Sequence, residues 1–270
     1  MQAVKKIRFT PVCVSIMVIS LMFAGISYAK IDFKNCVGMW LFDEDKGDVA
    51  KDSSSKGNDG EIIGKAKRVA GKFGSALKFD GVTASVNIEL DVIDLNKDHT
   101  FSVWFKTKID KNIHARVLHA PFLNSYRLWL FIYRNGHFSK GKLGFGYRAG
   151  DIPLEMNSDQ PLNDDNWHHA VAVFDHAIGQ ASLYINGKLI ARNWIDRIKF
   201  NDSEGKLCIA SACPGDFLPG QIDDVAVFNV ALKEGDIKSI MDKGLKKVLD
   251  AAAVSPMGKL TTIWAVTKAQ

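Results

Sequence analysis

The polar residues whose types and spacing invite chemistry are carboxylates in two β-like runs. In Gln221–Phe228, alternation puts Asp223 on the same side as Val225 and Val227, the side expected to face a core. Glu44 follows Trp40 and Phe42 along one face of an earlier run. If the two runs are neighbours, the two carboxylates converge, and buried carboxylates do not stay charged without compensation. A calcium ion would supply it, with Asp52 or Asn58 and backbone carbonyls completing an oxygen shell. In the competing reading Asp223 accepts backbone N–H bonds and Glu44 reaches solvent.

A second constellation is aromatic. Arg127, Trp129, Phe131 and Tyr133 share one face of a predicted strand, and Tyr147 lies on the strand that follows. Flat rings beside a guanidinium suit a sugar, which offers apolar faces and hydroxyl rims. Leu128, Leu130 and Ile132 make the opposite face apolar too. The alternative is therefore that the aromatic face is the core and the aliphatic one lies under a helix or loop.

Catalytic patterns are sparse. His168 and His169 are adjacent, so on a strand they face opposite ways and cannot share a metal; one is expected to pack beside Trp167. Asp151 and Glu155 bracket Pro153 and read as a loop. The sequence contains no Gly-x-Ser-x-Gly elbow, His-Glu-x-x-His helix, P-loop or dinucleotide fingerprint.

The elements that must position these residues are short and β-like. Clear runs are Gly38–Phe42, Ala76–Phe79, Ser85–Ile88, Thr100–Lys106, Arg127–Tyr133, Lys142–Tyr147, His168–Phe174, Ala181–Ile185, Lys206–Ala210 and Gln221–Phe228, separated by Gly, Asn and Asp. Asn186-Gly187 is a strong hairpin signal. With no helix–strand alternation, the pattern predicts an all-β fold, two antiparallel sheets of jelly-roll size. From Leu232 to Leu249 the apolar spacing turns helical, interrupted by Gly244, which leaves one helix or two open. The tail Lys259–Val266 has a strand-like stretch, and Ser158–Asp165 reads as a polar, variable loop.

Length and charge narrow the class. Of 270 residues, 47% are hydrophobic, enough for a sizeable core. Lys5, Lys6 and Arg8, then the apolar run Val12–Ile26 and Ser27-Tyr28-Ala29, read as a signal peptide over 1–29. Its removal would lower the net charge from +5 to +5 − 3 = +2, too little to point to nucleic acid. The expected location is secreted or periplasmic. Cys36, Cys208 and Cys213 would remain, allowing one disulfide; Cys208 and Cys213 are close in sequence, but Cys36 could reach either.

Several blocks carry a family resemblance. Gly38-Met39-Trp40-Leu41-Phe42-Asp43-Glu44 looks like an opening strand, and 52–60 like an Asp-Ser-Ser-Gly-Asn-Gly loop. Residues 71–81, Phe101-Ser102-Val103-Trp104-Phe105, 166–171, 183–188 and 220–229 follow in the expected order. Over about Val37 to Ile237 the chain resembles the laminin-G-like jelly rolls of the concanavalin A-like lectin/glucanase superfamily. The resemblance implies a structural calcium at the rim and a sandwich over 30–236, with a C-terminal helix and tail over 237–270. It departs from the family at Pro214–Pro219, which replaces a glycine-rich approach to the last strand. Glucanases of the superfamily carry Glu-x-Asp-x-x-Glu-like carboxylates on one strand, a spacing missing here. The reading is thus a secreted, non-catalytic module that binds a carbohydrate or glycosylated surface. A protein-binding adhesion or structural role, and a polysaccharide hydrolase or lyase, are the alternatives.

Overall fold

The computed structural model describes residues 31–90, 94, 96–110, 114–121, 127–132, 140–149, 152–195 and 205–253. The segment read as a signal peptide and the tail beyond 253 lie outside them. Among the described residues sixteen strands, numbered along the chain, form two eight-stranded antiparallel sheets.

The first sheet holds β1 (Cys36–Trp40), β4 (Lys67–Ala70), β5 (Ser75–Asp80), β7 (His99–Thr107), β12 (His168–Asp175), β13 (Gln180–Ile185), β14 (Lys188–Trp194) and β16 (Pro219–Phe228). Its order is β14-β13-β12-β7-β16-β5-β4, with β1 paired to β16. The second holds β2 (Val49–Ala50), β3 (Gly60–Ile63), β6 (Ser85–Glu89), β8 (Ala115–Pro121), β9 (Arg127–Ile132), β10 (Lys142–Ala149), β11 (Ile152–Pro161) and β15 (Lys206–Ile209). There the order is β11-β10-β9-β8-β15-β6-β3-β2.

Between the sheets Trp40, Phe42, Phe101, Phe105, Phe145, Phe174, Leu118 and Ile88 are fully buried in one core. A second core lies on the other face of the first sheet. Val171, Val173, Tyr184, Ala226 and Phe228 pack there against Ile237, Ile240, Leu245 and Leu249. Those four belong to α1 (Glu234–Lys243) and α2 (Leu245–Ala253). Strands covered on both faces read as continuous apolar runs, which is why β12 loses its alternation after His169.

Local signals explain the joints. Asn186 and Gly187 both take positive φ, 49° and 73°, as a two-residue hairpin turn between β13 and β14 requires. Gly244, at φ 81°, divides the C-terminal helical pattern in two, and Leu245 N–H donates to the Asp224 carboxylate at 2.9 Å. The helix begins at Glu234, inside the stretch expected to belong to the sandwich, and both helices pack on the sheet. The polar stretch from Ser158 runs as strand to Pro161 before turning to loop, and Ser158 is buried with its hydroxyl bonded to Leu143 N and Gln160 O.

Candidate functional site

Helices cover the outer face of the first sheet; on the second, β8 to β11 carry a row of rings and polar groups outward. Leu128, Leu130 and Ile132 of β9 point into the core, so Trp129 and Phe131 lie on the outer face. A bulge between Arg116 and Leu118 re-aims β8, which brings both Arg116 and His119 to that face.

Register then builds two rows across the strands. One runs His119–Trp129–Gly146–Glu155, the other Arg116–Phe131–Gly144–Asn157. Gly146 is the enabling residue. A Cβ there would lie 2.6 Å from Trp129 Cζ2 and closer still to Nε1 and Cε2, so the indole lies across the bare backbone of β10. Trp129 is half-buried, whereas Phe131 is almost wholly covered. The Arg116 guanidinium sits 5.5 Å from the Trp129 ring centroid and 5.1 Å from that of Phe131.

The loop after β15 holds Arg116 in place. Its backbone N–H donates to Asp216 O at 2.8 Å, and its Nε donates to the Asp216 carboxylate at 3.1 Å. A Cys208–Cys213 disulfide, with Cα atoms 6.0 Å apart, closes that loop. His119 Nδ1 bonds Ala212 O at 3.1 Å, so loop and platform are joined at two points. Among the described residues Cys36 is the free thiol, buried on β1 beside β16, where burial pushes it up to about 12. At the far end of the first row Glu155 is exposed on the edge strand, yet partial desolvation holds its carboxyl above the usual range.

The expected sugar-binding residues therefore divide. Trp129 and Phe131 share the outer face. Arg127 pairs in register with Pro121 and Arg148, and its side chain lies outside the described residues. Tyr133 lies outside the described residues. Tyr147 is a correction: its register partner is Leu128, so it points inward and packs against Phe174 in the core. The sequence reading passed over Arg116, His119 and Gly146. Glu155, read as part of a loop, stands on a ten-residue strand, β11.

The residues expected around calcium are engaged otherwise. Asp52 Oδ1 accepts from Met39 N and Ser54 N, and its Oδ2 from Asn58 N, at 2.8–3.0 Å. Asn58 Nδ2 donates to Val37 O, and its carbonyl accepts from Trp40 Nε1. Glu44 pairs with Arg68 at 2.9 Å and accepts from Lys51 N. Asp223 Oδ2 accepts from Lys72 N and Phe73 N, and its Oδ1 from Asp224 N. These oxygens tie loops to strands, and among the described residues no three His, Cys, Asp or Glu side chains are grouped to hold a metal. The four do not fit the calcium shell expected of them. Burial, the dominant cause, pushes Asp223 and Asp224 up to about 7.

The two histidines do face opposite ways. His168 Nε2 pairs with Asp164 at 2.8 Å. His169 is stacked on Trp104 at 5.0 Å between centroids and bonded to Ser102 Oγ at 2.9 Å, sealed with no solvent access. Desolvation lowers it to about 3, so this Ser–His pair is a structural contact.

Comparison with known proteins places this geometry. A family profile described as laminin G, concanavalin A-like lectin/glucanases superfamily, matches residues 80–238. No curated protein sequence matches. Domain 4 of an extracellular GH43 arabinanase from Geobacillus stearothermophilus, solved with arabinotriose, superposes with a TM-score of 0.64 at 15% identity, over 77% of this chain and 98% of that one. The binding domain of botulinum neurotoxin DC, solved with rat synaptotagmin II, gives 0.63 at 14% identity over 78% of this chain. The binding domain of Paraclostridial mosquitocidal protein 1 gives 0.62 at 14% over 77%. The chain spans about half the length of both toxin domains, 52% in each case. At such identities the likeness is one of fold.

Proposed function

The chain belongs to the concanavalin A-like lectin/glucanase superfamily, and on that premise we propose that it is a non-catalytic recognition module that binds a glycan on the outer face of the second sheet. The observation that carries the reading is the Trp129 indole laid over Gly146, with Arg116 held against it by Asp216. A flat, half-buried ring with a fixed guanidinium beside it is a surface a sugar ring can stack on. Binding without turnover is supported by the placement of Glu155 and Asp216, the acids near this row among the described residues, on different elements, with Asp216 committed to Arg116. The neighbours solved with arabinotriose and with a protein receptor support a binding role in general terms. The basic, apolar and small-residue succession over 1–29 supports export to the periplasm or beyond.

The test is calorimetric titration of the whole chain and of Trp129→Ala against a panel of neutral and acidic oligosaccharides, with chromatography of each bound sugar. Binding by the parent chain that falls at least tenfold in the variant, with no shortened or unsaturated products, is the expected result. Products would make the protein an enzyme. Binding untouched by the substitution would move the site elsewhere.

A second reading has a specific observation behind it. Trp194, 66% exposed, and Ile178, 58% exposed, stand at one end of the first sheet, where Trp194 pairs with Gln180. An apolar patch of that kind suits a protein partner.

A further inference from the structure

Given export, we propose that a lysine row on the outer face of the first sheet, with the apolar turn beside it, seats the protein on an anionic lipid surface. Register builds the row. Lys67 of β4 pairs with Lys78 of β5, Lys78 with Gln221 of β16, and Gln221 with Lys106 of β7. Leu77, Phe79, Phe105 and Ile222 belong to the core between the sheets, so Lys78, Gln221 and Lys106 take the outer face, and Lys67 with them. Neighbouring strands lie about 4.7–4.9 Å apart, so the four positions span about 14 Å. Lys72, exposed, adds a cation next to this row, its Nζ 4.6 Å from the centroid of Trp104.

Like charges directly opposite each other on paired strands destabilise a sheet. Lys67 and Lys78 are so placed, both exposed, and among the described residues neither has a carboxylate partner. The acids close by do not relieve them. Asp80 accepts from Val82 N, Thr83 N, Ala84 N and the Thr83 hydroxyl, and Asp165 stands 3.9 Å from Lys106. Helices α1 and α2 pack over Val171, Val173, Tyr184, Ala226 and Phe228, and leave Lys67 and Lys78 open. The adjoining turns are apolar at their tips. Val82, 63% exposed, lies between β5 and β6, and Ile63, 37% exposed, ends β3. The two turns touch at Gly64, where a Cβ would lie 2.7 Å from Thr83 O, and exposed Lys65 follows. Lysines draw a protein to anionic head groups, and exposed aliphatic side chains beside them enter the acyl boundary. An acidic polysaccharide would use the lysines but leave Val82 and Ile63 idle, so the combination favours lipid. Seated this way, the protein keeps Trp129, on the other sheet, free for a glycan.

The experiment is co-sedimentation with vesicles of phosphatidylcholine alone and of equal parts phosphatidylcholine and phosphatidylglycerol. It uses the chain from Lys30, because both cores are built from Ile31 onward and the apolar run 12–26 would itself enter lipid. The anionic vesicles are expected to bind at least tenfold tighter than the neutral ones, and added salt to erode the difference. Changing Lys67, Lys78 and Lys106 together to Gln should weaken anionic binding by about a hundredfold, and Val82→Ser by about tenfold. A charge-matched variant with Lys56, Lys188 and Lys247 changed to Gln should bind as the parent does. Melts without lipid keep the variants interpretable, since removing facing like charges should leave Tm unchanged or raised. Equal binding to both vesicles, or an equal loss in the charge-matched variant, would overturn the inference. So would binding of heparin oligosaccharides through the same lysines with the vesicles left unbound, which would make the row a polysaccharide site. None of these outcomes touches the glycan reading at Trp129, which Trp129→Ala tests separately.

Discussion

Substituting Gly146 by Ala isolates the platform from the fold. The new Cβ would lie 2.6 Å from Trp129 Cζ2, where carbon atoms settle at about 3.5–4.0 Å. Nε1 and Cε2 would lie closer still, so the indole must rise by about 1.5 Å or more or swing away, and its contact with Arg116 at 5.5 Å goes with it. The backbone itself should gain, since Gly in a strand is less favourable than Ala by about 0.5–1 kcal/mol. Against that stands the lost packing of a half-buried ring, of similar size. Stability should therefore stay within about 1 kcal/mol of the parent. Loss of an aromatic stacking surface, about 1.5 kcal/mol, corresponds to roughly tenfold in Kd. Urea denaturation and calorimetric titration with the best-binding oligosaccharide measure the two quantities on one preparation. Unchanged affinity would show that the flat indole is irrelevant to binding, and a collapse in stability would show that Gly146 serves the fold alone.

Other consequences follow from the same contacts. Burial lowers His99 and His169 to about 3, so the unfolded chain takes up their protons first and stability falls as pH drops from 6.5 toward 3. Asp223 and Asp224, pushed up to about 7, act oppositely: the native state holds their protons, and stability rises as pH falls through 7 toward 3.8. Denaturation from pH 8 to 3 should thus show a plateau between about pH 4 and 6.5 and a steep loss below it, and stability that climbs steadily to pH 8 would contradict these burials. Replacing Cys208 and Cys213 by Ser opens a short loop at a cost of about 2 kcal/mol, and it should also weaken sugar binding by freeing Asp216 from Arg116; intact affinity would show that the loop does not hold the platform. Asp52→Ala removes an acceptor of three backbone N–H bonds and should cost about 3 kcal/mol, the same in calcium and in chelator, whereas a calcium-dependent cost would reveal a metal shell.

What the sequence discloses here is local, and what it conceals is pairing. Asn186-Gly187 announces its hairpin because the backbone demands positive φ at both residues. Phe101, Val103 and Phe105 announce their buried face by alternation. The same alternation could have placed Tyr147 correctly, since Leu143, Phe145 and Tyr147 face inward together and leave Gly144 and Gly146 outside. Whether Trp129 or Leu130 faced the core was undecidable along β9, because both faces are apolar; only the pairing of β9 with β8 and β10 decides it. Gly146 gains its meaning from Trp129, seventeen residues earlier in the chain, and Arg116 from a bulge and from Asp216, a hundred residues later. Asp223 was recognisable as a buried carboxylate, but its partners are backbone N–H groups some 150 residues away, which carry no sequence signature.

The most direct test follows the tryptophan indole N–H resonances of the whole chain while the best-binding oligosaccharide is titrated in. Trp129 is expected to shift in step with saturation, while Trp40 and Trp104, both buried on the first sheet, and the exposed Trp194 at its edge stay still. A shift confined to Trp194, with Trp129 unmoved, would place the binding surface on the other sheet and contradict the account.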